Sequence, residues 1–265
     1  MFYNAKNHTL RTNDMEIDYV SFGRGKKNLI IIPGLSLRGV KGTAMPLAYM
    51  YRIFAREYKV YVVDKRNNLP SNYTIDELAK DVASFMNELG ISDASVFGVS
   101  QGGMIAQHLA INYPNLVNKL VLAVTASRTN ETITKVINEW IQMVENKNYD
   151  KMTTHMLQHL YSDDYLKKYN WLLPIATKVN KLNDIERFIT LAKACLTCGA
   201  FERLQDIKCP VLVLGGSKDK IVTGDASIEM AEKLDCEIHM YDELGHAAYE
   251  EAPDFNERIY RFLSK

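Results

Sequence analysis

The chain reads as an α/β protein, with a mostly parallel central sheet flanked by helices and interrupted by a helical insert. Three observations lead there. Short apolar runs ending in glycine, proline or aspartate alternate with amphipathic stretches at three- and four-residue spacing. One run, Ala94 to Val99, opens into a glycine-fenced serine with a helix pattern directly behind it. From about residue 128 to 200 the strand signals stop while helical stripes continue.

Taken in order, residues 15–22 alternate in part between apolar and polar, as a half-buried strand does. Asn28 to Ile32 is an apolar run closed by Pro33-Gly34 and reads as a buried strand. A helix is expected around residues 46–56, and a further buried strand over Val60 to Val63. Thr74 with Glu77 forms a capping-box signature. In the helix it opens, Leu78, Val82, Phe85, Met86 and Leu89 fall on one face, and Gly90 closes it. Residues 94–99 form the next strand, Gly102 to Tyr113 a helix stopped by Pro114, and Lys119 to Val124 another strand.

The insert follows. Ile133, Val136, Ile137, Trp140, Ile141 and Val144 trace one helical stripe. Met152, Met156, Leu157, Leu160 and Tyr161 trace a second, and Phe188 to Leu196 a third. Strands resume at residues 210–214 and 237–241, before a last helix over 253–263. The expected division is a core domain of residues 1–127 and 201–265, with a helical cap over 128–200. Trp140, Trp171 and the Met and Tyr residues of the cap serve packing, the substrate pocket, or both.

Composition narrows the function classes. The 265 residues are 47% hydrophobic, enough for a large core. Lysine plus arginine number 32, as do aspartate plus glutamate, so the net charge is zero. That argues against nucleic acid or an anionic membrane as the main partner. No apolar run approaches the roughly 20 residues of a spanning helix. The first eight residues lack the apolar core of a signal peptide, so a cytoplasmic protein with no membrane partner is expected. The turn Gly23-Arg24-Gly25 does not open a helix, and no Gly-x-Gly-x-x-Gly follows an early strand, so no cofactor is expected. Cys195 and Cys198 form a C-x-x-C without the second ligand pair that zinc needs. His155 and His159 lie four apart with Met156 where a metallopeptidase motif has glutamate, so no metal is expected. His108 reads as structural.

The chemistry concentrates in Gly98-Val99-Ser100-Gln101-Gly102, a Gly-x-Ser-x-Gly elbow between strand and helix. A serine hydroxyl needs a base, and the base an orienting group. Leu214 to Asp219 runs from a buried strand into a loop carrying an aspartate, and Tyr241 to His246 from the last strand into a loop carrying a histidine. Both loops leave the carboxyl ends of strands, where open α/β sheets bind ligands. Asp225, six residues on, is the alternative acid or a helix cap.

With Ile32-Pro33-Gly34-Leu35, Gly98 to Met104, Gly216 to Asp219 and Gly245-His246, the chain resembles the α/β-hydrolase fold family over nearly its whole length. The serine region is similar to that of 3-oxoadipate enol-lactonase-like and small carboxylesterase-like members. The resemblance implies Ser100 as nucleophile, His246 as general base and then acid, and Asp219 as orienting acid. It implies the backbone N–H groups of Leu35 and Gln101 as the oxyanion hole. It implies a small ester or lactone as substrate, an acyl-enzyme, and activity that falls as His246 protonates at acid pH. An acyltransferase, a perhydrolase or a C–C hydrolase would keep the same residues, and a ligand-binding receptor or scaffold would keep the pocket without turnover. Two positions depart from the family pattern. Pro33-Gly34 stands where many members have His-Gly, and Asp64-Lys65-Arg66-Asn67-Asn68 where they often have Asp-x-Arg-Gly-x-Gly.

Overall fold

The computed structural model describes residues 3–169, 171, 182 and 184–265. Its strands are β1 (Lys6–Arg11), β2 (Glu16–Phe22), β3 (Lys27–Ile32), β4 (Tyr58–Val63), β5 (Ala94–Val99), β6 (Val117–Ala123), β7 (Val211–Gly216) and β8 (Glu237–Tyr241). They form a single eight-stranded sheet in the order β1-β2-β4-β3-β5-β6-β7-β8. β1 pairs with β2, and β2 with β4, antiparallel; every pairing from β4 to β8 is parallel. The register sets Ile32 beside Gly98, Gly98 beside Leu122, and Leu122 beside Val213. The carboxyl ends of β3, β5 and β6 therefore fall within one residue of one another, β7 runs two residues beyond β5 and β6, and the loops that leave them share one edge.

Period-two alternation divides each central strand between two cores. Ile30, Ile32, Val96, Leu120, Leu122, Val211 and Val213 face one cluster. Leu29, Ile31, Phe97, Val121, Leu212 and Leu214 face the other. Because both faces are covered, β5 and β7 are buried at every position. The first face carries α2 (Ile75–Glu88) and α3 (Gln101–Asn112). The second carries α1 (Ala44–Met50) and the C-terminal helix, described below. α2 begins as its sequence demands. Thr74 accepts from the Glu77 N–H, and the Glu77 carboxylate accepts from the Thr74 N–H.

Between β6 and β7 the described residues form α4 (Glu131–Glu145), α5 (Tyr149–Leu160), α6 (Asp163–Tyr169) and α7 (Ile185–Cys195). The buried stripe of α4 is the expected one, Ile133 through Val144. An antiparallel bridge between Arg128 and Gly199 closes the neck of this insert. The N–H groups of Ala200 and Phe201 both donate to the Ser127 carbonyl there. After β7 come α8 (Gly224–Leu234), α9 (Ala248–Glu251) and α10 (Phe255–Ser264), the C-terminal helix.

Phe97 sits in the centre of the second core, fully buried, with its ring edge-on to Tyr51 and tilted against Phe255. Phe97→Ala is expected to lower the unfolding free energy by about 3–5 kcal/mol. Urea denaturation measures it, and a loss under about 1 kcal/mol would contradict this packing.

Candidate active site

The turn after β5 is built by close approach. A Cβ on Gly102 would stand 1.9 Å from the Ile32 carbonyl oxygen, so α3 can lie against β3 only with glycine there. Ser100 caps the helix at φ 53°, ψ −121°, a conformation that costs a non-glycine residue about 1–3 kcal/mol. Its backbone is pinned from several sides. Its N–H donates to the Ala123 carbonyl at 2.9 Å, and its carbonyl accepts from the Thr125 hydroxyl at 2.7 Å. A serine at a helix N-terminus ordinarily turns its hydroxyl onto the first-turn N–H groups. Here the side chain makes no such bond. It is left to another partner, and while the Gly103 N–H donates to the Ser100 carbonyl at 2.8 Å, the N–H groups of Gln101 and Gly102 have no carbonyl within the helix.

That partner is His246. Its Nε2 lies 2.8 Å from Ser100 Oγ, and its Nδ1 lies 2.7 Å from Asp219 Oδ2. An ionised carboxylate only accepts, so Nδ1 carries the proton and Nε2 offers its lone pair to the serine O–H. The other Asp219 oxygen accepts from the N–H groups of Ile221, at 2.8 Å, and Val222, at 3.0 Å. The carboxylate thus has partners for both oxygens although Asp219 is only 8% exposed and His246 2% exposed. The two loops that carry them meet through a second close approach, since a Cβ on Gly216 would stand 2.3 Å from the Gly245 carbonyl oxygen. Asp225 lies in the first turn of α8. The aspartate against the imidazole is Asp219.

Leu35 lines a narrow cavity together with Ser100 and His246. Met104, Ile133, Ile137, Trp140, Met156 and Leu160 supply much of its apolar wall. The space open to the centre of a water molecule is about 40 Å³. Trp140 is therefore a wall residue, whereas Trp171 is exposed. Gln101 places its backbone beside Ser100, and its side-chain amide donates to the Leu191 carbonyl at 2.6 Å and to Cys195 Sγ at 3.1 Å.

The remaining candidates resolve into structure. Cys195 and Cys198 are free and buried, and burial pushes each thiol up to about 12, so both stay protonated. The His155 and His159 rings stack at 4.0 Å, with the Trp140 indole N–H donating to His155 Nδ1. Burial, followed by neighbouring His159, holds His155 below its ordinary range. Among the described residues no group of three or more metal-ligating side chains comes together. His108 pairs with Asp76 at 3.1 Å.

Two residues at this edge escaped the sequence reading. Thr125 holds the Ser100 carbonyl from the neighbouring strand end. Lys65, directly after β4, is only 4% exposed. The signal available for Lys65 was a cation at the carboxyl end of a buried strand, the edge where ligands bind.

A family profile for the alpha/beta hydrolase fold matches residues 28–253. The chain is 24% identical over 220 residues to 3-oxoadipate enol-lactonase 2 of Acinetobacter baylyi, covering 81% of this chain and 80% of that protein. It is 27% identical over 252 residues to a putative carbamate hydrolase RutD of Caulobacter sp. strain K31, covering 90% and 91%. Among solved structures, the enol-lactonase from Burkholderia xenovorans LB400 is similar with a TM-score of 0.84 at 21% identity, covering 97% of this chain and all of that one, 100%. The chain belongs to the α/β-hydrolase fold family and is a hydrolytic enzyme.

Proposed function

We propose that this protein is a serine hydrolase that cleaves a small carboxylic ester or lactone through a Ser100-His246-Asp219 triad and an acyl-enzyme. The observation that carries this reading is the unbroken run of contacts from Ser100 Oγ to His246 Nε2 and from His246 Nδ1 to Asp219 Oδ2. The relatives named as an enol-lactonase and a carbamate hydrolase support acyl chemistry at a carbonyl.

These contacts support the following steps. Ser100 Oγ attacks the substrate carbonyl carbon as His246 Nε2 takes the hydroxyl proton. Asp219, accepting from Nδ1, stabilises the imidazolium that results and keeps the ring in one orientation. The carbonyl oxygen becomes an oxyanion held by the N–H groups of Leu35 and Gln101, one such donor being worth about 3–4 kcal/mol in the transition state. The C–O bond breaks, and His246 returns the proton to the leaving oxygen. Water, deprotonated by His246, then attacks the acyl carbon and releases the acid with Ser100 restored.

In this reading residues 1–127 and 201–265 are the core and residues 128–200 the cap that selects substrate. The cavity wall drawn from α4 and α5 supports that division. Its size and apolar lining support a short, uncharged acyl group. Four unbonded cysteines support a reducing compartment such as the cytoplasm.

A fluorophosphonate probe is expected to label the wild type at Ser100 and to leave Ser100→Ala unlabelled and inactive; labelling that persists in Ser100→Ala would remove the assignment. Asp219→Asn is expected to lower kcat by about 10⁴-fold, because the amide favours the wrong imidazole tautomer. Asp225→Asn should stay within about twofold of wild type, as an exchange outside the relay does. Steady-state kinetics on both separates the two acids, and equal losses would refute the choice of Asp219. Across p-nitrophenyl esters from acetyl to palmitoyl, turnover should peak at the short chains; a maximum at palmitoyl would show that the cavity wall does not limit the acyl group.

A further inference from the structure

Lys65 is a buried cation whose ammonium touches no carboxylate among the described residues. Its Nζ donates to the carbonyl oxygens of Pro33, at 2.5 Å, and Gly34, at 2.6 Å. Its own backbone is held just as tightly. The Lys65 N–H donates to Asp64 Oδ1 at 2.8 Å, and its carbonyl accepts from Arg187 Nη2 at 2.9 Å. Arg187, in the first turn of α7, also reaches Asp64 Oδ1 at 3.2 Å. Asp64 Oδ2 accepts from the Val40 N–H at 3.0 Å. Burying a lysine head costs several kcal/mol unless its donors are satisfied, so this arrangement marks a place where the fold needs a charge.

The carbonyl of Gly34 and the N–H of Leu35 belong to one peptide group. No described peptide is cis. In a planar trans peptide the C=O and N–H point in opposite directions, so holding the oxygen aims the hydrogen. The loop passes directly beside the nucleophile, since a Cβ on Gly34 would stand 3.2 Å from Ser100 Cβ. A cation on the carbonyl also draws electron density through the peptide and strengthens the N–H as a donor.

We infer that Lys65 is a positioning residue for the oxyanion hole, clamping the Gly34-Leu35 peptide through its carbonyl so that the Leu35 N–H is fixed and polarised toward the oxyanion formed at Ser100. This rests on the serine-hydrolase reading above. It also links the two departures from the family pattern. With proline in place of the usual histidine at position 33, the loop takes its rigidity from the lysine at the end of the neighbouring strand, β4. Burial, the largest influence, pushes the ammonium down to about 8, with Asp64 raising it and Arg187 lowering it. Both states of the amine keep N–H donors for the two carbonyls.

Lys65→Met keeps the volume and removes the clamp. On a short p-nitrophenyl ester or a lactone that the wild type turns over, kcat should fall about 10- to 100-fold while KM stays within about threefold. The inhibition constant of phenylboronic acid, whose tetrahedral adduct on Ser100 places an oxygen in the hole, should rise by a similar factor. Lys65→Gln, with two N–H donors and no charge, should fall between Lys65→Met and wild type, and carries the same test if the methionine variant does not fold. A kcat within about twofold of wild type, or a loss of kcat with boronate affinity unchanged, would overturn the inference. The underlying reading fails separately. If Ser100→Ala retains the activity, the hydrolase assignment falls; if Ser100→Ala is dead and both Lys65 variants behave as wild type, only the clamp falls.

Discussion

The site depends on one constraint, the parallel register that brings the carboxyl ends of four neighbouring strands to one edge. Ser100 follows β5, Thr125 follows β6, Asp219 follows β7 and His246 follows β8. At about 4.8 Å per strand, β8 lies roughly 14 Å from β5. The five steps from Tyr241 to His246 span at most about 17 Å when extended. The histidine loop therefore has little slack, and it must fold back across β7 to meet the serine. The backbone contact at Gly216 and Gly245 shortens that path. Any loss of parallel register would move the imidazole by a residue's rise, more than 3 Å, which no side-chain rotation recovers.

The strained serine turn fits the same logic. Its positive φ is maintained because the Ala123 carbonyl, the Thr125 hydroxyl and the Ile32 backbone each fix part of it. The strain is local, and the cores on either side of the sheet hold it in place. A relaxed turn would direct the hydroxyl to the helix N-terminus, where serines normally bond. The Ser100 to His246 contact is what remains when that option is closed.

Most of the central sheet was legible in the sequence because strands buried on both faces read as unbroken apolar runs. β5 and β8 have the expected limits, β3 and β4 begin one or two residues earlier than expected, and β6 and β7 differ by a residue or two at both ends. The elbow and the two loops were legible because glycines mark close approach wherever the backbone allows no Cβ. β1 was not, since Lys6–Arg11 is an exposed edge strand with no apolar face to show a period. The short α6 has no buried residue and so no stripe to find. Thr125, Lys65 and Arg187 were illegible for another reason. Their partners are backbone carbonyls or side chains far away in sequence, and a polar residue beside a strand end looks the same whether it faces water or a peptide.

The insert bears on the chemistry through where it is fastened. Four of its ties fall next to residues of the proposed machinery. The Gln101 side chain holds the Leu191 carbonyl of α7 one residue from Ser100. The Ala247 N–H holds the Leu160 carbonyl of α5 at 2.7 Å, one residue from His246. Asn130, the cap of α4, donates to the Val222 carbonyl at 3.0 Å, beside the Asp219 loop. Arg187 holds Asp64, one residue from Lys65. Lifting these helices as one body would break all four bonds, at about 1 kcal/mol net for each, and would expose the apolar wall as well. Rigid swinging is therefore an expensive way to admit substrate. A pocket largely formed in the resting enzyme is the cheaper arrangement, with entry through local movement of side chains. On the proposed mechanism the same ties make the insert part of the site's geometry, because the segments that line the cavity are tied beside Ser100, His246 and Lys65.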